Sequence, residues 1–174
     1  MSDMLLKHSF SPSIFPGAVV LILGSMPGEE SLRRQEYYAY RHNAFWRIMG
    51  ELFCFSPDLP YPERLAALGR NRIALWDSLA ACRREGSLDT RITDPIPNDI
   101  AGLLRENPGI THIFCNGTAS FQFLKRYNER VFHSGVTIQK LPSTSPAAAV
   151  YSYQKKLEAY SVIRTVLYSS RVKG

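Results

Sequence analysis

The stretch AVVLIL at residues 18–23 is a continuous aliphatic run, bounded by Pro16-Gly17 before it and Gly24 after it. A short run of this composition is typical of a strand buried on both faces, as in a parallel sheet. Further strands are predicted at residues 72–77 (RIALWD), 111–115 (THIFC) and 136–141 (VTIQKL). Helical patterns occupy residues 43–53, 62–68, 98–106, 118–127 and 152–168. This alternation predicts an α/β fold, a three-layer α/β/α arrangement around a central, mainly parallel four-stranded sheet.

Asparagines are the candidate N-caps of two predicted helices, Asn43 for residues 43–53 and Asn98 for residues 98–106. Residues 24–42 form a long polar and aromatic segment, and residues 82–98 contain Gly86, Pro95 and Pro97. The second of these segments is interpreted as a loop.

The composition is that of a globular protein. A chain of 174 residues with 45% hydrophobic and 21% charged residues predicts one domain over residues 1–174, since a domain averages about 150 residues. No apolar run approaches the roughly 18 residues of a membrane span, so no membrane partner is expected. The three cysteines lie far apart, at Cys54, Cys82 and Cys115. They offer neither a disulfide framework nor a CxxC pair, which predicts reduced thiols, a cytoplasmic location, and no metal or cofactor.

The charge balance is basic: 21 lysines and arginines against 15 acidic residues give a net charge of +6. Such a balance suits a polyanionic partner such as DNA or RNA, and equally an ordinary basic soluble protein.

In a parallel sheet, ligands bind beyond the carboxyl ends of the strands. Three segments fall there: GSMPG at residues 24–28, Trp76-Asp77, and PSTSP at residues 142–146. The first is a tight loop whose backbone can approach a phosphate or a base, although it lacks the GK[ST] and GxGxxG patterns. The hydroxyls of the last can hold a phosphate backbone. An ordinary turn is the alternative for both, and a helix cap is the alternative for Asp77.

Aromatic side chains are concentrated in residues 37–47, YYAYRHNAFWR, where five aromatics and two arginines occur together. Phe45 and Trp46 fall on the predicted helix and are expected in the core. Tyr37, Tyr38 and Tyr40 precede that helix, in surface or pocket positions from which a ring can stack on a nucleobase.

The order strand, GSMPG, YYAYRHNAFW, ALWDSL and LPSTSP resembles the uracil-DNA glycosylase superfamily. The likeness is to its hypoxanthine-DNA (deoxyinosine) glycosylase branch, related to the mismatch-specific uracil/thymine glycosylases, and it covers residues 17–167. The first motif of the superfamily is often GINPG, whose asparagine positions the attacking water, and Met26 stands in its place. A thioether is a weak acceptor and no donor. In the hypoxanthine branch an asparagine of the second segment takes this role, and Asn43 matches it, although the usual His-Pro before it is absent.

The resemblance implies roles for other residues. Tyr38, five residues before Asn43, would stack on the flipped base, and Asp77 would read its edge. The base would also meet the backbone of four residues, Ser25, Met26, Pro27 and Gly28. Leu141 replaces the histidine of the last motif, and Ser143, Thr144 and Ser145 match its phosphate-contacting loop. Basic residues would hold the DNA, namely Arg33, Arg34, Arg41 and Lys140. The residue that fills the gap in the duplex stays open.

The predicted function is that of a monofunctional DNA glycosylase in base excision repair, acting as a monomer on hypoxanthine first and uracil second. Asn43 would position water on the anomeric carbon, and the products would be the free base and an abasic site. Two alternatives stay open. A catalytically silent nucleic-acid-binding module would bind DNA without releasing a base. A hydrolase or transferase of free nucleotides would act on mononucleotides with little dependence on salt.

Overall fold

The computed structural model describes residues 4–173. Its strands are β1 (Leu6–His8), β2 (Val20–Gly24), β3 (Ile73–Asp77), β4 (Leu79–Arg83), β5 (Thr93–Pro97), β6 (His112–Asn116) and β7 (Thr137–Leu141). Its α-helices are α1 (Glu29–Arg34), α2 (Phe45–Phe53), α3 (Tyr61–Arg70), α4 (Ile100–Glu106), α5 (Thr118–Tyr127) and α6 (Tyr153–Val172). Two short 3-10 helices cover Asp89–Arg91 and Glu129–His133.

The central sheet has four parallel strands in the order β3-β2-β6-β7, as the sequence predicts. Every residue of β2 is buried, because this strand has neighbours on both edges and helices on both faces. The register pairs Gly24 with Asp77 at one end of the sheet. It also pairs Asn116 with Leu141 at the same end. The carboxyl ends of all four strands therefore lie side by side.

Alternate residues of β2 point to opposite faces and into separate cores. Val20 and Ile22 belong to the apolar cluster that includes residues of α2 and α6, among them Phe45, Ile48 and Ile163. Leu21 and Leu23 belong to the cluster on the other face, with residues of α4 and α5 such as Ile100 and Leu124. This arrangement confirms the three-layer α/β/α prediction.

The two N-caps predicted at asparagines are each wrong by one residue, because Ala44 and Asp99 occupy those positions. Helix α2 begins at Phe45, and the Asn43 side chain accepts a hydrogen bond from the Phe45 N–H at 3.0 Å from just outside the helix. Helix α4 is capped by Asp99, which accepts from the Gly102 N–H at 2.9 Å. Asn98 instead donates its side-chain N–H to the carbonyl of Asp77 at 2.8 Å. Both asparagines are thereby tied to neighbouring elements.

The loop interpretation of residues 82–98 is wrong in part, and the polar segment at residues 24–42 also contains a regular element. The first segment contains the short helix α1, and the second contributes to an antiparallel sheet in the order β1-β4-β5. β5 pairs with β4 alone, and an edge strand tolerates Pro95 and Pro97 because its outer side needs no ladder hydrogen bonds. No helix in the described part of the chain is long and apolar enough to span a membrane.

Candidate active site

Four side-by-side strand ends bring the sequence-predicted segments together. The glycine loop, residues 24–28, follows β2, and Asp77 ends β3. Asn116 ends β6, and the serine loop, residues 142–146, follows β7. The sheet thus brings together at one edge segments that lie up to more than a hundred residues apart in the sequence.

The centre of this edge is built over Gly24. A Cβ placed on Gly24 would lie 2.5 Å from Oδ1 of Asp77 and 3.2 Å from the hydroxyl oxygen of Tyr38. A larger residue here would displace the Asp77 carboxyl and would be in tight contact with the Tyr38 hydroxyl. A carboxyl and a phenol therefore converge over a backbone left bare.

Asp77 is a buried acid, 4% exposed, and its Oδ2 has no hydrogen-bond partner in the described structure. Burial, and to a smaller extent the nearby charge of Asp89, raises the pKa of Asp77 to about 7, while the charge of Arg84 opposes the shift. The helix-cap alternative is excluded, since strand β4 follows after Ser78. Near neutral pH this carboxyl can therefore donate a hydrogen bond to a bound group in its neutral form, or accept one in its ionised form.

Tyr38 is held in a left-handed backbone conformation, with φ of 55°. Its ring stacks on Phe45, with centroids 3.9 Å apart and an interplanar angle of 22°. Its hydroxyl is buried and has no partner in the described structure, and burial raises the pKa of Tyr38. A positive φ in a bulky residue and an unsatisfied buried hydroxyl are both unfavourable, and such features concentrate at functional sites.

Three of the other four aromatics of residues 37–47 take structural positions. Phe45 is 0% and Trp46 5% exposed, which confirms their placement in the core. Tyr37 is also a core residue, contrary to the surface or pocket position predicted for it, and its hydroxyl donates to the Ser11 carbonyl at 2.9 Å. Tyr40 is exposed.

Asn43 lies in a turn, where its N–H donates to the Tyr40 carbonyl at 2.9 Å. Its Oδ1 accepts from the Phe45 N–H, which fixes the direction of the amide. An amide oxygen has two lone pairs, so Oδ1 retains one acceptor position, and no partner of Nδ2 occurs within residues 4–173.

The glycine loop offers its backbone rather than its side chains. Met26 is 7% exposed and packs into a small apolar cluster with Leu79 and Cys82. The Ser25 hydroxyl donates to Asp89 at 2.8 Å. Gly28 precedes helix α1 in an extended conformation.

Asn116, at the end of β6, holds the serine loop through two hydrogen bonds to Thr144. Thr144 is 1% exposed, its Oγ1 accepts from Nδ2 of Asn116 at 2.9 Å, and its N–H donates to Oδ1 of Asn116 at 2.9 Å. The Thr144 carbonyl accepts from the N–H of Ala44, the neighbour of Asn43, at 3.0 Å. The Thr144 side chain is therefore turned inward, while Ser143 and Ser145 are half-buried.

Two residues of α6 support the same loop. The Lys156 ammonium donates to the Ser145 carbonyl at 3.0 Å, and the Tyr160 hydroxyl donates to the Pro142 carbonyl at 2.9 Å. Both side chains are buried. Sequence reasoning missed Asn116, Lys156 and Tyr160; only Asn116 carries a signal, as a polar residue ending a buried strand like Asp77.

The basic residues predicted to hold DNA are not equally available. Arg33 and Arg34 both bind Glu30, each with an N···O distance of 2.6 Å. Arg41 and Lys140 are exposed, and the nearest polar contact of Arg41 is His42, at 3.1 Å.

The carboxyl edge of this parallel sheet, where ligands bind in such folds, carries a buried carboxyl group, an amide turn and a serine loop. The chain belongs to the uracil DNA glycosylase superfamily, whose family model matches residues 12–164.

Individual relatives narrow the comparison. A hypoxanthine DNA glycosylase of Methanosarcina acetivorans is 35% identical over 161 residues, 92% of this chain and 99% of the relative. One of Methanosarcina barkeri is 39% identical over 120 residues, 67% of this chain and 75% of the relative. A solution NMR structure of a Methanosarcina acetivorans protein, named after uracil DNA glycosylase, superposes with a TM-score of 0.80 at 34% identity. The match covers 92% of this chain and 98% of that one.

Proposed function

We propose that this protein is a monofunctional DNA glycosylase that excises a deaminated base, hypoxanthine first and uracil second, in base excision repair. The observation that carries the proposal is the convergence of the Asp77 carboxyl and the Tyr38 hydroxyl over Gly24, both unsatisfied in the described structure. Buried polar groups without partners are costly and indicate a site completed by a ligand. The relatives named hypoxanthine DNA glycosylase support the choice of base.

The base reaches Asp77 and Tyr38 by leaving the duplex stack, which costs a few kcal/mol. Asp77 faces the edge where hypoxanthine and uracil both carry an N–H beside a carbonyl. Tyr38 contributes its ring and hydroxyl. The N–H groups of the glycine loop stabilise negative charge on the departing base, as donors fixed before the reaction begins.

Asn43 positions the attacking water. Its Oδ1, already aimed by the Phe45 N–H, accepts from the water, which adds to the anomeric carbon as the N-glycosidic bond breaks. The sugar passes through an oxocarbenium-like state. The products are the free base and an abasic site, so no metal or cofactor is required.

The serine loop, Arg41 and Lys140 hold the DNA backbone. Ser143 and Ser145 present hydroxyls, while Thr144 acts by positioning the loop on Asn116.

We expect no cleavage of the abasic strand. Lys156 is a buried lysine near the site, and its amine is directed to the Ser145 carbonyl behind the loop. A monomer in the cytoplasm is the expected form of the enzyme.

Base excision from labelled duplexes tests the proposal. Duplexes carrying hypoxanthine, uracil, xanthine or a G·T mismatch are incubated with the protein, and alkali reveals abasic sites. The wild type should release hypoxanthine most rapidly. Asn43→Ala should lose about 100-fold or more, the scale of a lost positioning group. Asn107→Ala, at the C-cap of α4 and the opposite end of the sheet, is the matched control.

The remaining outcomes separate the alternatives. Equal activity of the wild type and Asn43→Ala would leave a glycosylase whose water is positioned by another residue. DNA binding without release of any base would indicate the silent binding module. Cleavage of mononucleotides with little dependence on salt would indicate the nucleotide hydrolase.

A further inference from the structure

The largest fully buried side chain is a charged one, Arg84, at the end of the antiparallel sheet. Its Nε donates to the Gly86 carbonyl at 2.9 Å, and its Nη2 donates to the carbonyl of Pro27 in the glycine loop. Its Nη1 lies 3.7 Å from Oδ1 of Asp89 and makes no hydrogen bond in the described structure. The Arg84 guanidinium is therefore buried with one donor unsatisfied while it binds the Pro27 carbonyl.

The residues that follow Arg84 also contact the glycine loop. Oδ1 of Asp89 accepts from the Ser25 hydroxyl at 2.8 Å. The Ser87 hydroxyl accepts from the Glu29 N–H at 2.9 Å. A Cβ on Gly28 would lie 3.2 Å from the Ser87 hydroxyl oxygen. The rear turn, residues 84–91, therefore supports the glycine loop along its whole length.

This arrangement is a poor way to gain stability. A buried charge with an incomplete set of partners contributes little to folding, and an apolar side chain of similar volume often does as well. It is an effective way to fix a backbone, because a guanidinium fork and a carboxylate constrain both distance and direction. The glycine loop has to act through its backbone, because the side chain of Met26 is apolar. Its backbone must therefore be held in place.

We propose that Arg84 and Asp89 are positioning residues for base excision, holding the Ser25 to Pro27 backbone so that its N–H groups meet the departing base. This inference rests on the function proposed above. Donors that are fixed beforehand need no reorganisation when charge develops, and a displacement of about 1 Å can cost 100-fold in rate.

Asp89 also acts through its charge on Asp77. The ionisable side chains that face Asp77 come from three elements: Tyr37 and Tyr38 before α2, Tyr61 in α3, and Arg84 and Asp89 around the rear turn. Among them Asp89 is the one other carboxyl group: its charge raises the pKa of Asp77, and burial raises the pKa of Asp89 itself. Removing that charge favours the ionised form of Asp77, so a neutral residue at position 89 lowers the pKa of Asp77.

Single-turnover excision of hypoxanthine from pH 5.5 to 9, with enzyme in excess, tests this inference. Asp89→Asn should lower the maximal rate by about 10-fold while the half-saturating enzyme concentration stays within about 2-fold, as for a residue acting through another. Because the neutral form of Asp77 is the one expected to bind the base, the rate of Asp89→Asn should also begin to fall at a lower pH than that of the wild type. Glu85→Gln removes an exposed carboxylate from the same turn and is the matched control.

A second variant guards against misfolding of the first. Asp89→Asn keeps an acceptor oxygen for the Ser25 hydroxyl but loses the charge that strengthens this hydrogen bond, whereas Ser25→Ala removes the donor. The double variant should therefore lose little more rate than either single one. A purely structural role would lower the melting temperature without moving the pH profile. An active wild type with an unchanged rate and profile in Asp89→Asn overturns this inference alone, whereas an inactive wild type overturns the proposed function and this inference with it.

Discussion

Asp77 can meet a base either as a neutral acid or as a carboxylate, and the two forms present different edges. The neutral acid offers an O–H donor beside a carbonyl acceptor, which complements the carbonyl and N–H of hypoxanthine. The carboxylate offers acceptors only, and it stands beside a base that gains negative charge as it leaves. The neutral form is therefore the one that suits the reaction.

Excision by the wild type should consequently fall as the pH rises through about 7, the pKa to which burial raises Asp77. The direction follows because a raised pKa keeps the acid protonated below that pH and lets it ionise above. Asp77→Asn keeps a donor and an acceptor without an ionisation, so its rate should be flat from pH 6 to about 8.5. Single-turnover rates measure this, with the exposed Asp58→Asn as control. Parallel profiles for wild type and Asp77→Asn would exclude the role of the neutral acid.

The sequence predicts part of this site and cannot predict the rest. Asp77 and the glycine loop are found because they end aliphatic strands, whose carboxyl ends are known to gather ligands. Arg84 and Asp89 are not, because their contacts with Pro27 and Ser25 span 57 and 64 residues. No periodicity encodes a contact at such a separation. The inward turn of Thr144 is hidden for the same reason.

At the scale of elements, the junction of β6 and α5 sets the position of the serine loop. Gly117 adopts a φ of 97°, and a Cβ there would lie 3.0 Å from Cβ of Ser143. Gly117→Ala should cost about 1–3 kcal/mol of stability through backbone strain, and should also displace the serine loop and weaken DNA binding. Thermal unfolding and fluorescence titration of an abasic-site duplex measure the two effects.

Gly135→Ala separates the two effects of that substitution. Gly135 has a similar φ of 87°, and a Cβ there meets nothing within 4 Å. It should lose stability to a similar extent and keep its affinity for DNA. If both variants lose affinity equally, the contact with Ser143 has no part in binding.

Elements were predictable where burial leaves a strong pattern. Three strands of the central sheet, β2, β3 and β6, are largely apolar because both faces are covered, so their order along the chain suffices to predict a parallel sheet. Four of the five residues of β5 are exposed and the strand contains two prolines, and α1 is only six residues long with one buried residue. β5 and α1 form because of the elements that they pair with and pack against, and those partners cannot be identified from a single sequence.

At the scale of the whole molecule, the net charge of +6 attracts DNA only through lysines and arginines that are not already paired with acidic side chains. Glu30 engages both Arg33 and Arg34, which removes part of that charge from the DNA face. Arg41 and Lys140 are exposed, and the serine loop lies at the same edge of the sheet as the end of β7. Electrostatic attraction to DNA should therefore depend on a small number of cations.

The dependence of DNA affinity on salt counts those cations. Each phosphate neutralised by a lysine or arginine contributes about 0.9 to the slope of log affinity against log salt, because it releases a condensed counterion. Arg41→Gln and Lys140→Gln should each reduce the slope by about 1 and weaken binding to damaged and undamaged duplexes alike. Arg70→Gln, at the end of α3 and so at the opposite end of the sheet, makes the same change of charge and should leave the slope unchanged. An equal reduction in all three variants would mean that net charge alone attracts DNA, and that the basic residues at the carboxyl edge have no preferred role.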